Sequence, residues 1–361
     1  MASMASLALW SLTTSSVRTI RRAAEQAEAA GLAGLAVTDS QNLAGDCYVA
    51  LAAAALVTSK LCLGTGVTNP VTRHPAVTAA AFASLQELSQ GRAVCAVGRG
   101  DSALAHLGRA PAGVDALDRY LRALQSYLRG ESIPFDELDF HEHLAPPVEN
   151  LRLADTASAS RLIWLRGIPK VPVEVAATGP KVIASAAVHA DRILFAVGAE
   201  TERIQWGMDL ARAARTAAGL DPDAIAFGAF VNVVCHDDQD TARALVAGGL
   251  ATFARFSVMH GTPTGPADET RQQLLRDLHR SYDMRHHTRA DSGQARVLTP
   301  EFVDRYAIVG PPAACVARLR ELSTLGIDKV ISIGATAGAD PDEGRRAARL
   351  FADEVVPAFA S

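Results

Sequence analysis

The chain has no basic excess: 35 Lys and Arg stand against 39 Asp and Glu, for a formal charge of −4 over 361 residues. Nothing is left over to neutralise a phosphate backbone or an anionic lipid surface, which argues against nucleic-acid and membrane partners. Long apolar runs are missing as well. The strongest, residues 51–57, is stopped by Thr58, Ser59 and Lys60, far short of the roughly 20 residues a bilayer span needs, and reads as a buried helix. The first six residues lack the basic stretch that opens a secretory signal, so a cytoplasmic protein is expected. Cysteine is sparse: Cys47, Cys62, Cys95, Cys235 and Cys315 are odd in number, widely spaced and set in apolar runs. That pattern fits reduced core thiols and no disulfide framework. His141 with His143, and His286 with His287, have no carboxylate or cysteine companions at zinc spacing. They read as exposed loop histidines, and no metal is expected.

Also absent is a Gly-x-Gly-x-x-Gly turn after the first apolar run, which an open dinucleotide-binding sheet needs to seat a pyrophosphate. What the sequence has instead is an alternation of short β-branched runs and longer amphipathic stretches along its whole length, the βαβα pattern of a parallel sheet. Strands are expected at 7–12, 35–38, 61–67, 93–97, 171–177, 192–197, 225–234 and 329–333. Helices are expected at 16–30 (with Ser16 as N-cap), 46–59, 75–89, 114–129, from 179, from 201, and at 240–260, 312–325 and 340–359. Residues 131–170, after helix four, and 261–300, after helix seven, are polar and rich in glycine or proline; they read as insertions, and such long excursions often form lids. Eight strands favour an α/β fold of the (β/α)₈ TIM-barrel type, with 1–361 as one domain, because closure removes both sheet edges.

In such a barrel the chemistry sits at the carboxyl ends of the strands. Thr178-Gly179-Pro180-Lys181 opens a helix after small Ala176 and Ala177, and is either a phosphate cradle on the helix dipole or an ordinary glycine-proline helix start. Gly66-Val67-Thr68-Asn69-Pro70 would let a flat ring press against backbone, or is a plain strand-to-turn transition. Asp39 and Asp101 stand at neighbouring strand ends, placed either to move a proton beside a redox ring or to cap helices. Arg73 and His74 are anion contacts or the solvated head of helix three. The adhesion-like tripeptide Arg99-Gly100-Asp101 is a chance match.

With these residues in view, the chain resembles the luciferase-like family of flavin and deazaflavin enzymes, most of all its methylenetetrahydromethanopterin reductase branch. The resemblance rests on Gly66-Val67-Thr68-Asn69-Pro70-Val71-Thr72-Arg73-His74-Pro75, continued by Glu87-Leu88-Ser89-Gln90-Gly91-Arg92 and Gly98-Arg99-Gly100-Asp101-Ser102. Ala176-Ala177-Thr178-Gly179-Pro180 and Ala307-Ile308-Val309-Gly310-Pro311 add to it. It implies a cofactor lying across the barrel mouth, its ring backed by a non-prolyl cis peptide at Gly66-Val67. Thr65, Thr68, Asn69 and Gly98 would line the pocket, with Asp39 beside the ring. The cofactor phosphate would sit on the amides of Gly179, Pro180 and Lys181, near Ala177, Thr178, Ala196 and Val197. Several relatives carry a histidine at the end of strand two, where this chain has Asp39-Ser40. Asp101 matches the position where some deazaflavin members place an acid.

The resemblance implies hydride transfer between coenzyme F420 and a small-molecule substrate. Two alternatives stand beside it: a monooxygenase using reduced FMN from a separate flavin reductase, and a cofactor-free partner subunit. An alanine-rich face on helices two and three suits a homodimer interface or core packing.

Overall fold

The computed structural model describes residues 7–140, 143 and 145–360. His141 lies outside them. The first half runs β1 (Ala8–Thr13), α1 (Ile20–Ala29), β2 (Gly34–Val37), α2 (Cys47–Ala55), β3 (Cys62–Thr65), α3 (Pro75–Leu88), β4 (Ala93–Val97), α4 (Ser102–Ala105) and α5 (Val114–Leu128). Then follow β5 (Val173–Ala177), α6 (Pro180–His189), β6 (Arg192–Phe195), α7 (Thr201–Ala217), β7 (Ala226–Cys235), α8 (Gln239–Phe256) and α9 (Glu269–Ser281). The chain ends with α10 (Pro300–Tyr306), β8 (Ile308–Gly310), α11 (Pro312–Thr324), β9 (Lys329–Ile333) and α12 (Pro341–Leu350).

Strands β1 to β7 pair in sequence order, β7 pairs with β9, and β9 returns to β1, all parallel, so the sheet closes into the expected eight-stranded barrel. The three residues of β8 are an addition. They extend the sheet outside the wall, against Val233, Val234 and Cys235 at the far end of β7. Parallel strands covered on both faces should be apolar throughout, and β4, Ala-Val-Cys-Ala-Val, is buried at every position. Its Ala93, Cys95 and Val97 join the core under the helices, whereas Val94 and Ala96 join Trp10, Ala36, Leu194, Phe230 and Ile331 inside the barrel.

Two glycines decide how that interior fills. A Cβ on Gly34 would lie 2.3 Å from the Trp10 ring, and one on Gly64 would lie 2.6 Å from the Val94 carbonyl oxygen. Below Trp10, at the amino ends of the strands, Lys329 Nζ lies 3.3 Å from the indole centroid and 2.7 Å from Glu174, which also takes Arg192 at 2.8 Å. Burial lowers the Lys329 pKa, and the Glu174 carboxylate works against that.

Several boundaries differ from the sequence expectation. Helix α1 starts at Ile20 because the Ser16 carbonyl closes a turn on the amides of Thr19 and Ile20, and no side chain caps it. The short α4 was not expected. The closing helix stops at Leu350, and a wide turn, Phe351–Val355, leads into Val356–Phe359, where Pro357 has no amide to donate. Residues 131–170 hold two 3₁₀ turns, tied by an antiparallel bridge between Ile133 and Ser160. Residues 261–300 are not a loose lid. They contain α9, and their backbone at Thr288 and Ala290 sits so tightly on α8 that a Cβ on Gly248 would come within 2.4 Å of it.

Replacing Glu174 by Ala leaves the buried Lys329 without its partner, a loss that costs about 3–5 kcal/mol when a buried pair is broken from one side. Urea unfolding is expected to show a midpoint lowered to match, with an unchanged slope.

Candidate active site

The carboxyl ends of β3, β4, β5 and β6 enclose a cavity of about 540 Å³. Lining it are Val67, Gly98, Asp101, Ala196 and the segment Thr178, Gly179, Pro180 and Lys181, all drawn from the strand ends that the sequence singled out. The Gly66-Val67 peptide bond is cis. A Cβ on Gly66 would meet Leu12 at 2.5 Å, and one on Gly98 would meet Val67 at 2.7 Å, so both glycines let the Val67 bulge close the cavity wall. Gly179 is the opposite case: a Cβ there would meet nothing within 4 Å. It is the N-cap of α6, with Pro180 at the first position. First-turn amides have no intrahelical acceptor, so Gly179 and Lys181 present donors at the positive end of the helix. Pro180 carries no amide hydrogen and drops out of the expected donor set. The Thr178 hydroxyl is directed to the Ala196 carbonyl at 3.2 Å.

Other expected residues stand behind the cavity wall. Thr65 bridges β3 to β4, its hydroxyl donating to the Ala96 carbonyl at 2.7 Å and accepting from the Ala96 amide at 3.1 Å. Asn69 accepts the amides of Val71 and Thr72 and fixes the turn, while its own Nδ2 is buried without a partner. Ala177 and Val197 turn outward into the core beneath the helices. Asp39 is nearly buried and accepts the Thr68 hydroxyl at 2.7 Å; Thr68 in turn accepts Tyr48 at 3.1 Å. Burial, with Asp39 close by, pushes the Cys47 thiol well up. Arg73 pairs with Asp46 and lies 4.1 Å above the Tyr48 ring, and His74 caps α3 and stacks on Phe140. Arg73 is therefore held by the head of α2, and His74 serves the head of α3.

Neither aspartate caps a helix. Asp101 occupies the N-cap position of α4 without a capping bond and pairs instead with Arg255, in the last turn of α8. Sequence reasoning missed Arg255, whose signal was a lone cation among Phe253, Ala254 and Phe256. The guanidinium lies 4.4 Å from the Tyr282 centroid, and the Tyr282 hydroxyl bonds Thr252 at 2.9 Å and His287 Nδ1 at 2.8 Å. His287 is thus no exposed loop histidine, unlike His286, which is exposed and bonds Asp283. His143 is exposed. Among the described residues no cluster of three or more His, Cys, Asp or Glu could hold a metal ion.

A larger hollow, about 960 Å³, lies beside α5, away from the strand ends. Its cations Arg119, Arg122, Arg129 and Lys170 are already paired with Asp139, Asp118, Glu131 and Asp191.

Residues 1–329 match the luciferase-like monooxygenase family. The chain belongs to that family. Its relatives include the 5,10-methylenetetrahydromethanopterin reductase of Archaeoglobus fulgidus, 25% identical over 329 residues that cover 89% of this chain and 90% of the relative. An F420-dependent glucose-6-phosphate dehydrogenase of Beutenbergia cavernae is 30% identical over 243 residues, 63% of this chain and 64% of the relative. Among solved structures, the coenzyme F420-dependent tetrahydromethanopterin reductase of Methanopyrus kandleri superposes with a TM-score of 0.72 over 98% of this chain and 100% of that one, at 21% identity. A monooxygenase from Streptomyces bottropensis gives 0.62 over 95% and 94%, at 22% identity. The luciferase-like fold is therefore common to both.

Burial drives the His287 pKa down to about 4; Asp101 opposes the shift, and Arg255 and His106 add to it. The ordinary value is about 6.5, so the unfolded chain takes up a proton that the native site refuses. Stability tied to His287 is complete above about pH 6.5, declines as the pH falls, and levels off below the folded value. Linkage sets the loss between pH 7 and pH 5 at no more than about 2 kcal/mol. In the His287→Gln variant that part of the decline should vanish from urea unfolding at the two pH values.

Proposed function

We propose that this protein is a coenzyme F420-dependent oxidoreductase that moves a hydride between the deazaflavin and a small organic substrate. The observation that carries the reading is the mouth cavity itself. One wall is the Val67 bulge with Gly98, Ala176 and Ala196, and one end is a helix N-terminus whose Gly179 faces open space. A relative that is an F420-dependent dehydrogenase by name and a solved reductase of the same fold that is F420-dependent by name support the choice of cofactor.

A bound deazaflavin supplies a carbon centre that gives or accepts a hydride. The amides of Gly179 and Lys181 hold the phosphate, with the α6 dipole and the Lys181 charge behind them. Val67, Gly98, Ala176 and Ala196, which line the cavity, would hold a flat ring between them. Asp39, fixed by Thr68, supports the wall from behind; Asp101, fixed by Arg255, lines the cavity and is our choice for proton handling. The five cysteines are free and four are buried, which suits a reducing cytoplasm. We also propose a homodimer through α2 and α3, whose outer faces expose Val49, Leu56, Val77 and Leu88.

The test is titration with oxidised and reduced F420 and FMN, followed by fluorescence quenching. F420 should bind in preference. A preference for reduced FMN with oxygen uptake would point to the monooxygenase chemistry of other family members, and binding of neither would overturn the assignment. The variant Gly179→Val places its Cβ where no protein atom lies within 4 Å and narrows the cradle. It should fold normally and bind F420 at least about tenfold more weakly, since lost charge-assisted bonds to a phosphate are worth at least that factor. For the dimer, Leu56→Glu should shift the sedimentation coefficient to that of a monomer.

A further inference from the structure

We infer that Arg99 reads the anionic tail of the cofactor beyond its ribityl phosphate, and so sets the preference for F420 over FMN. This rests on the F420 reading above.

The case begins with how arginines are used in this chain. Most buried or half-buried guanidinium groups are either paired with a carboxylate, as Arg73, Arg192, Arg243, Arg255 and Arg271 are, or fully spent on carbonyl and hydroxyl oxygens. Arg92 is of the second kind, with bonds to Ser89, Thr58, Leu61 and Ala55 that occupy all of its nitrogens. Buried Arg203 is similar, reaching Val197, Pro266, Ser257 and Thr264. Arg99 is neither. Its Nε donates to the Ala112 carbonyl at 2.5 Å and its Nη2 makes a long 3.4 Å contact with the Pro111 carbonyl. Among the described residues no carboxylate pairs with it. A guanidinium has five N–H donors, so Nη1 and one hydrogen of Nη2 remain uncommitted.

Position gives this surplus a meaning. Arg99 lines the same cavity as Gly179 and Lys181, together with Pro111 and Val114. The only carboxylate in the cavity lining, Asp101, is engaged by Arg255. Arg99 and Lys181 are thus left as a net positive wall. The fork is also held in place, because the Ala112 amide returns a bond to the Arg99 carbonyl at 2.9 Å. Burial lowers the Arg99 pKa with no acid to oppose it.

The head of α6 already answers one phosphate. A second, separate cation in the same cavity suits a ligand whose anionic groups continue past that phosphate. FMN ends in a phosphomonoester. F420 carries a phosphodiester that runs on through lactate into a glutamate chain, and a planar, fixed guanidinium matches a carboxylate.

The experiment uses the full-length enzyme and its Arg99→Met and Arg99→Lys variants, titrated without substrate against three ligands. These are F420, FMN, and the deazaflavin riboside that lacks both phosphate and tail. We expect Arg99→Met to weaken F420 about tenfold, to leave the riboside unchanged, and to alter FMN by less than about twofold. Arg99→Lys should recover part of the loss, and high salt should shrink the difference from wild type. Equal loss for the riboside would show that Arg99 only holds the Pro111 loop, and equal loss for FMN would show that it reads the phosphate. Either result overturns the inference, as does an unchanged F420 affinity. If wild-type protein binds neither F420 nor the riboside, the cofactor reading itself fails, an outcome distinct from failure at Arg99 alone.

Discussion

One buried guanidinium joins the barrel wall to the segment that roofs it. Arg203, in the first turns of α7, donates to the Val197 carbonyl at the exit of β6, to Ser257 at the end of α8, and to the Thr264 and Pro266 carbonyls. Tyr306 stacks beneath it at 5.5 Å and bonds Ser257 at 2.6 Å. A buried charge without a carboxylate is tolerable only when its donors are satisfied, so these four chain segments must converge or Arg203 becomes a penalty. The convergence reaches further. Gly198 has a positive φ of 85°, and a Cβ there would strike the Tyr306 ring at 2.5 Å. Met259, His260, Thr262 and Thr264, the far side of the cavity, lie on the segment that Arg203 ties down.

The two ends of the barrel are finished in opposite ways. At the base, Glu174, Arg192, Lys329 and Trp10 fill the lumen with paired charge and an indole. Pairs of that kind do little for net stability but tolerate no loss of a single partner. At the mouth the inward positions shrink to Gly66, Gly98, Ala176 and Ala196. The same alternation of side chains along each strand thus yields a plug below and a shallow cavity above.

Legibility followed locality. The positions of the strands could be read because each depends on residues adjacent in sequence; closure followed from their number, and the cis peptide at Gly66-Val67 came through the family resemblance. Pairings across the chain could not be read: Asp101 meets Arg255, 154 positions away, and nothing near Asp101 announces it. The same reason hid His287, whose neighbours Asp283 and Arg285 are polar and exposed or nearly so, while its burial comes from Tyr282 and α8. Helix ends were blurred where a carbonyl turn replaced a side-chain cap, as at Ser16. The second insertion looked like a lid because glycine and proline are frequent in it; the close approach to Gly248 depends on a glycine in another element.

That long-range dependence bears on proton chemistry. At the end of β2, where several relatives carry a histidine, this chain has Asp39-Ser40, and the Ser40 hydroxyl is bonded to Ser102 at 2.7 Å. The loop after β2 is thereby fastened to the head of α4, next to Asp101. Two imidazoles reach this region from elsewhere: His260 lines the cavity, and His287 comes from the insertion, close enough for Asp101 and Arg255 to act on its charge. The His287 ring, with its pKa near 4, is neutral at physiological pH, so it meets the Tyr282 hydroxyl as a hydrogen-bond partner and brings no positive charge to the mouth. The positive charge there comes from Arg99 and Lys181, which line the cavity, while Arg255 is matched by Asp101.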